Sequence, residues 1–335
     1  VLQQQNIFKP ENGGHSLSNS PNFEQNSLNS ERQIAMSAAT PPNSSVTYCI
    51  ITPVRDEEEF IGGTIEAVAA QTVRPMEWII VDDGSTDQTS SIIERYAQKY
   101  PWIRAARREN RGFRSTGGGI DGFLYGVDLL KTKNWEFLIN LDGDLTFSPH
   151  YFEKCFAYFR KNPGLGIGGG TIYNKIGDQL YLEKCADSHV RGATKIYRRQ
   201  CWDSLGGMLR GLGWDTVDEI KARMRGWTTF AFPDLQLIHH RATGAALGRW
   251  ADGVKNGHSD YIVGYHPLFL AAKCARRAFK APFLVGAIAH AYGFLRSYLQ
   301  RAPRVDDAEF IRYVREQQLR RLFSFDRTKI PGITE

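Results

Sequence analysis

The sequence predicts an α/β protein in which a mostly parallel central sheet is flanked by helices and followed by a C-terminal helical extension. Three observations carry that prediction. From Thr47 onward, short β-prone runs alternate with amphipathic stretches of helical period. The first, second and fourth of those runs end in clusters of acids, glycine or proline, at the strand ends where open α/β sheets bind ligands. Beyond residue 260 the charge balance changes: Tyr261–Val305 holds seven cations (Lys273, Arg276, Arg277, Lys280, Arg296, Arg301 and Arg304) and no acid.

Residues 1-45 are built from Gln, Asn, Ser, Pro and Gly with only five charges (Lys9, Glu11, Glu24, Glu31, Arg32). A stretch so poor in aliphatic residues cannot repay the entropy of ordering itself, so a disordered tail is expected, with Met36 as the natural start. The α/β domain is assigned to residues 46-245 and the helical extension to residues 246-335. The domain opens with Tyr48–Thr52, a strand ended by Pro53, and Thr64–Ala70 reads as a helix. Trp78–Val81 is a second strand, closed by Asp82-Asp83-Gly84-Ser85. Thr86–Tyr100 carries Ile92, Ile93, Tyr96 and Ala97 at helical spacing. Ile103–Ala106 is a third strand, Gly119–Leu130 a helix, and Phe137–Leu141 a fourth strand that runs into Asp142-Gly143-Asp144.

Further along, Trp214–Trp227 reads as a helix with Asp215 or Thr216 as N-cap and Gly226 just past its end. A strand then leads into His239-His240-Arg241. Ala281–Leu295 is uncharged and apolar for 15 residues. Asp306–Phe323 forms a last amphipathic helix, acidic at its start and basic at its end.

Composition narrows the classes. With 42% hydrophobic and 23% charged residues, the 335-residue chain is a globular protein, not a disordered, collagen-like or small disulfide-stapled one. The five cysteines are scattered and never spaced C-x-x-C, which argues against a disulfide framework or structural zinc and fits a reducing cytoplasm. The formal charge of +6 points to an anionic partner. Nucleic acid is not expected, because no reader motif accompanies the charge. No G-x-x-x-x-G-K-[ST] occurs. Gly164-Leu165-Gly166-Ile167-Gly168-Gly169 has G-x-G-x-x-G spacing but follows Asn162-Pro163 rather than the first strand of a βαβ unit, so it lacks the dinucleotide-binding context.

The acidic strand ends carry the chemistry. Asp and Gly are common in turns whatever the function. Two acidic groups gathered at one sheet edge, however, repel each other and call for a cation. Carboxylate ligands of this kind suit Mn2+ or Mg2+ with phosphate oxygens completing the shell. An EF-hand is excluded, since Asp142–Thr146 lacks its third acidic position and its later Glu.

Ile51-Thr52-Pro53-Val54-Arg55-Asp56-Glu57, then Val81-Asp82-Asp83-Gly84-Ser85-Thr86-Asp87, then Leu141-Asp142-Gly143-Asp144 resemble the family-2 glycosyltransferases of the GT-A fold, a Rossmann-like fold. The resemblance runs from about Thr47 to His240 with its motifs in the family's order. It implies that Pro53, Arg55 and Glu57 line a nucleotide pocket, with Asp82 or Asp83 on the base. It implies too that Asp142 and Asp144 hold Mn2+ or Mg2+ on the diphosphate of a UDP-, GDP- or dTDP-sugar. Asn110-Arg111-Gly112 matches the family's N-x-G turn, while Phe113–Gly119 departs from it. Arg114 is assigned there as a cation near the diphosphate. The resemblance also maps the catalytic base onto Asp218, with Glu219 beside it and Asp215 as the alternative. His240, with Arg241, completes the metal or diphosphate site, and His239 is the alternative. Gly164–Gly169 is then read as a glycine-rich strand passing close to bound sugar.

A carboxylate base implies an inverting transfer to a hydroxyl rather than to an already ionised lipid phosphate. The acceptor expected from the resemblance and the basic segment is a lipid-linked saccharide, with the enzyme peripheral to the inner face of the cytoplasmic membrane. Ala281–Leu295, flanked by Lys280 and Arg296, fits a helix lying in an anionic interface. A core helix or the interface of a homo-oligomer is the alternative.

Overall fold

The computed structural model describes residues 46–110, 119–241, 248–279 and 283–323. In chain order the elements begin β1 (Tyr48–Val54), α1 (Ile61–Ala69), β2 (Glu77–Asp82), α2 (Thr89–Lys99), β3 (Ile103–Arg107), α3 (Ile120–Asp128), β4 (Phe137–Leu141) and β5 (Leu145–Phe147). They continue with α4 (Tyr151–Lys161), β6 (Leu165–Ile176), β7 (Gln179–Leu182), β8 (Thr194–Arg198), α5 (Arg199–Ser204), α6 (Trp214–Met224) and β9 (Thr228–His239). The C-terminal helices are α7 (Gly248–Ile262), α8 (Pro267–Ala278), α9 (Val285–Leu299) and α10 (Ala308–Phe323).

Among the described residues nine strands form one sheet in the order β3-β2-β1-β4-β8-β6-β9-β5, with β7 paired to β6. The first four are parallel, as strand-helix alternation demands. Beyond β4 the sheet is mixed: β8 runs antiparallel to β4 and to β6, whereas β6 and β9 are parallel. The strand order reverses at β1, whose neighbours are β2 and β4, and a crevice at such a reversal is where this kind of sheet binds ligands.

Strand β1 is buried almost throughout because both faces are covered. Ile50, Trp78 and Ile80 pack with Phe152, Phe156 and Phe159 on one side. Cys49, Ile51, Ile79 and Val81 pack with Ile120 and Phe123 on the other. Pro53 does not end β1, which continues to Val54. Pairing with β4 stops at Ile51↔Asn140, so the donor that proline lacks is not needed on that side.

The glycine-rich run lies in β6, but its hydrogens face protein. A Cβ at Gly168 would meet the Phe232 ring at 2.5 Å, and one at Gly169 would meet the Thr194 carbonyl oxygen at 2.1 Å. The expectation of a strand passing close to sugar is therefore corrected, since these glycines let β8, β9 and α4 close on β6.

A third cluster joins Val217 and Ile220 of α6 to Tyr261, Ile262, Phe294, Phe310 and Val314 of the C-terminal helices. Helices α7 and α9 approach closely enough that a Cβ at Gly257 would lie 2.0 Å from the His290 carbonyl oxygen. Buried Asp260 accepts hydrogen bonds from Lys273 Nζ and His290 Nε2, both at 2.7 Å, tying α7 to α8 and α9.

Gly169→Ala has to move backbone and is expected to lower unfolding stability by about 1–3 kcal/mol. Gly62→Ala, in α1 with its nearest foreign atom 3.9 Å away, is expected to raise it by about 0.5–1 kcal/mol. Urea denaturation of both variants reads the two signs.

Candidate functional site

The acids at the end of β4 are held by their neighbours. Thr64 of α1 donates its hydroxyl to the Gly143 carbonyl (2.8 Å) and accepts from the Leu145 amide (3.0 Å), clamping the turn. The Asp142 amide donates to the Ala193 carbonyl at 2.9 Å. Strand β5 then pairs antiparallel with β9, placing Leu145 opposite His239. That register brings His239 Nε2 within 3.2 Å of the Asp144 carboxylate. Ligand atoms of Asp142, Asp144 and His239 all lie within 4.8 Å of one another.

The trio is electrostatically unsatisfied by itself. Burial and then the charge of Asp144 push the Asp142 carboxyl up to about 7, against the opposing pull of His239 and Arg191. Burial works against a charged His239, yet its hydrogen bond and attraction to Asp144 raise its pKa overall. Two carboxylates and an imidazole crowded this closely, one of them forced toward neutrality, form a donor set that fits Mn2+ or Mg2+. His240 is not in it. Its ring bonds to the Thr146 hydroxyl at 2.8 Å and stacks on Phe60, and it is His239, the alternative, that stands with the two acids. The signal was present in β9, where Leu235, Leu237 and His239 alternate inward.

At the ends of β1 and β2 the assigned residues do converge. The Asp83 amide donates to the Val54 carbonyl at 2.8 Å, and its carboxylate pairs with Arg108 at 2.9 Å. Asp82 is turned away into the scaffold, accepting from the Ser85 amide (2.8 Å) and the Ser90 hydroxyl. Arg55 donates to Asn110 Oδ1 at 3.0 Å. Glu57 donates its amide to the Thr89 hydroxyl and pairs through its carboxylate with Arg241, at 2.8 and 2.9 Å. Pro53 lies beneath α3, where a Cβ at Gly122 would meet its ring at 2.9 Å. Arg114 lies outside the described residues.

Helix α6 sorts its acids by depth. Trp214, Val217 and Asp218 share the inward stripe, and Asp218 and Glu219 are each only 2% exposed. Both Asp218 oxygens accept from Lys195 Nζ (2.8 and 2.9 Å), and Oδ2 also accepts from the Tyr197 hydroxyl at 2.6 Å. Burial raises the Asp218 carboxyl, with the Lys195 ammonium holding it back. Burial works against Glu219 ionising as well, yet Lys195 and His189 bring its carboxyl down. Glu219 accepts from the Val190 amide at 2.7 Å and bonds to His189 Nδ1 at 3.0 Å.

Neither acid is placed to take a proton from a substrate hydroxyl. Their geometry is that of an internal ion-pair network. Asp215 differs: it stands in the first turn of α6, is partly exposed, and lies near Gly192, where an added Cβ would come 3.7 Å from the Asp215 Cβ. The Gly192 carbonyl accepts from Asn140 Nδ2 at 2.6 Å, two residues before Asp142. Asp215 is not the N-cap, since that position belongs to Gly213 at φ 86° with no side-chain bond. Gly226 does sit just past the helix end, at φ 84°.

Relief of the carboxylate repulsion is measurable. The Asp142 carboxyl is raised above its unfolded value, so the metal-free fold loses stability as pH rises from about 4 to about 7. Asp142→Asn is expected to raise the metal-free melting temperature at pH 8 and to abolish the increase that Mn2+ gives the unmodified chain. Thermal denaturation with and without Mn2+ checks both.

Residues 49–206 match the family model described as glycosyl transferase family 2. Chondroitin synthase of Escherichia coli is 28% identical over 169 residues, which are 47% of this chain and 23% of that protein. Beta-monoglucosyldiacylglycerol synthase of Synechocystis sp. is 22% identical over 254 residues, 67% of this chain and 50% of that one. The chain thus spans between about a quarter and a half of these relatives' lengths. Among solved structures, the mannosyltransferase PcManGT of Pyrobaculum calidifontis, in complex with GDP-Man and Mn2+, matches with a TM-score of 0.51 at 14% identity, over 91% of this chain and 96% of its own. S. aureus TarS 1-349 in complex with UDP-GlcNAc matches at 0.51 and 16% identity, over 82% of this chain and 83% of its own. At such identities the likeness shows the fold, which is GT-A. Residues 49–206, just under half of the chain, thus match glycosyltransferase family 2, with motifs, fold and strand-end acids in that family's arrangement.

Proposed function

We propose that this protein transfers a sugar, with inversion, from a nucleotide-sugar donor to a hydroxyl of a saccharide acceptor. The observation that carries the reading is the Asp142–Asp144–His239 cluster at the end of β4, with Asp215 near Gly192, whose carbonyl is bonded to Asn140 of the same strand. Mn2+ or Mg2+ held by that cluster would neutralise the donor diphosphate as it departs. Asp83, Arg55 and Glu57 frame the nucleotide at the ends of β1 and β2, with Asp83 on the base, and Asp82 shapes the loop that carries it.

The base is Asp215 rather than Asp218. The acceptor oxygen forms its bond to the anomeric carbon as the bond from that carbon to the diphosphate breaks. The hydroxyl proton passes to the Asp215 carboxylate, and the electron pair leaves on the nucleoside diphosphate. Such a base is not needed for an acceptor that is already an ionised phosphate, so Asp215 favours a hydroxyl over a polyprenyl phosphate. The acceptor we assign is a lipid-linked saccharide at the cytoplasmic face of a membrane. The similarity to relatives named for a polysaccharide and a glycolipid supports that assignment.

Asp215→Asn is expected to lower kcat by about 10²–10⁴-fold while Mn2+-dependent binding of the nucleoside diphosphate is retained. Unchanged turnover in this variant would sink the assignment and favour a phosphate acceptor. Asp218→Asn is expected to act on the fold instead. Without its carboxylate, Lys195 is left buried beside a weaker partner set, at a cost of about 3–5 kcal/mol. Chemical denaturation separates the two variants. A panel of UDP-, GDP- and dTDP-sugars, assayed for metal-dependent release of the diphosphate, identifies the donor.

A further inference from the structure

Helix α9 is apolar on two opposite sides. Toward α7 it buries Ala289, His290, Gly293 and Ser297. On the far side Ile288, Tyr292, Leu295 and Leu299 follow one another at helical spacing, all within one narrow stripe. They are 55, 48, 56 and 80% exposed, respectively. The turn before α9 adds Phe283 at 68%, and Phe279 just past α8 is 82% exposed. A helix that is hydrophobic all round belongs inside something. Here one side is packed and the other is left largely open, Tyr292 meeting the half-exposed Trp250 ring at 6.1 Å, and exposed apolar surface of this kind marks an interaction site.

We propose that this face docks on the surface of an anionic lipid bilayer, with α9 lying in the interface plane. Charge selects that occupant. Arg276, in the helix before α9, Arg296 in α9 itself, and Arg301 and Arg304 just after it are all exposed, and no acid occurs between Tyr261 and Val305. Arginines so placed reach anionic headgroups while the stripe enters the acyl boundary. A second copy of the chain would set these arginines against their own like charges. The helix lies on the membrane rather than across it: its 15 residues make a rod of about 22 Å against a hydrocarbon core of about 30 Å. Among the described residues no helix is long and apolar enough to cross a membrane. The proposal names the surface behind the membrane part of the reading above, and it stands apart from the transfer chemistry.

The test uses the full chain and vesicles of two compositions, phosphatidylcholine alone and equal parts phosphatidylcholine and phosphatidylglycerol. Co-sedimentation with the anionic vesicles, lost at high salt and absent from the neutral ones, is the expected result. Ile288→Gln with Leu295→Gln should weaken that binding at least about tenfold. Arg296→Gln and Arg304→Gln should weaken it by about fivefold each. All four positions are exposed, and Mn2+-dependent nucleoside diphosphate binding reports that each variant is folded. Equal binding to both vesicle types, or binding to neither, overturns the proposal. So does a dimer in sedimentation velocity that Ile288→Gln with Leu295→Gln converts to monomer. If the unmodified chain binds vesicles but no nucleoside diphosphate, the docking face stands and the transferase reading fails.

Discussion

Lys195 carries a positive charge into the interior of the domain, and the site is arranged around the way that charge is satisfied. Its side chain is fully buried, where an unpaired ammonium would be untenable. Asp218 takes two of its hydrogen bonds, Glu219 lies at 3.3 Å, and the Asp215 carbonyl accepts a further bond. Burial works against the ammonium, yet the three acids around it leave its pKa raised. One side chain from β8 thereby fixes both the rotation and the depth of α6. The helix start is then held where Asp215 meets Gly192 and, through Asn140, the end of β4. Replacing such a network with apolar residues often leaves stability unchanged. Its distinctive product here is position: the partly exposed Asp215 is held at the start of α6 by the buried acids that follow it.

The parallel half of the fold was legible because its signal is local. Trp78–Val81 ends in Asp-Asp-Gly, Phe137–Leu141 ends in Asp-Gly-Asp, and each helix between strands carries its own period. The mixed half was not. Whether β8 runs with or against β4 depends on where the β6–β7 hairpin returns the chain, and no local pattern encodes that. The same distinction applies to the site. Asp142 and Asp144 announce themselves by adjacency. Choosing between His239 and His240 needed the inward alternation of β9, and choosing among Asp215, Asp218 and Glu219 needed the stripe set by Trp214 and Val217. A carboxylate on the buried stripe of a helix has a partner in the core. That partner, Lys195, is remote in sequence and was invisible until β8 and α6 were seen together.

The C-terminal helices are bound into this arrangement through α6. Val217 and Ile220, one turn beyond Asp215, pack into the cluster formed by α7, α9 and α10. The two sides of α6 thus serve two ends: polar groups tie it to β8, and apolar groups tie it to the extension. Asp215 and the apolar stripe of α9 are therefore carried on elements that share one core, through Val217 and Phe294.

The metal cluster and the ion-pair network solve the same electrostatic problem in opposite ways. In each, two acids are crowded together in a buried setting. At Asp218 and Glu219 the chain supplies the cation itself, and the pair is locked. At Asp142 and Asp144 the described residues supply the imidazole of His239 and the charge of Arg191, and the Asp142 carboxyl is pushed toward its neutral form. A protein that needed only stability would have closed the second site as it closed the first. Leaving it short of charge creates affinity for a divalent ion and for the phosphates that accompany one, because both relieve a repulsion the fold has not relieved. What separates the two acidic pairs is therefore the group between them: a buried ammonium at Asp218 and Glu219, and an imidazole at Asp142 and Asp144.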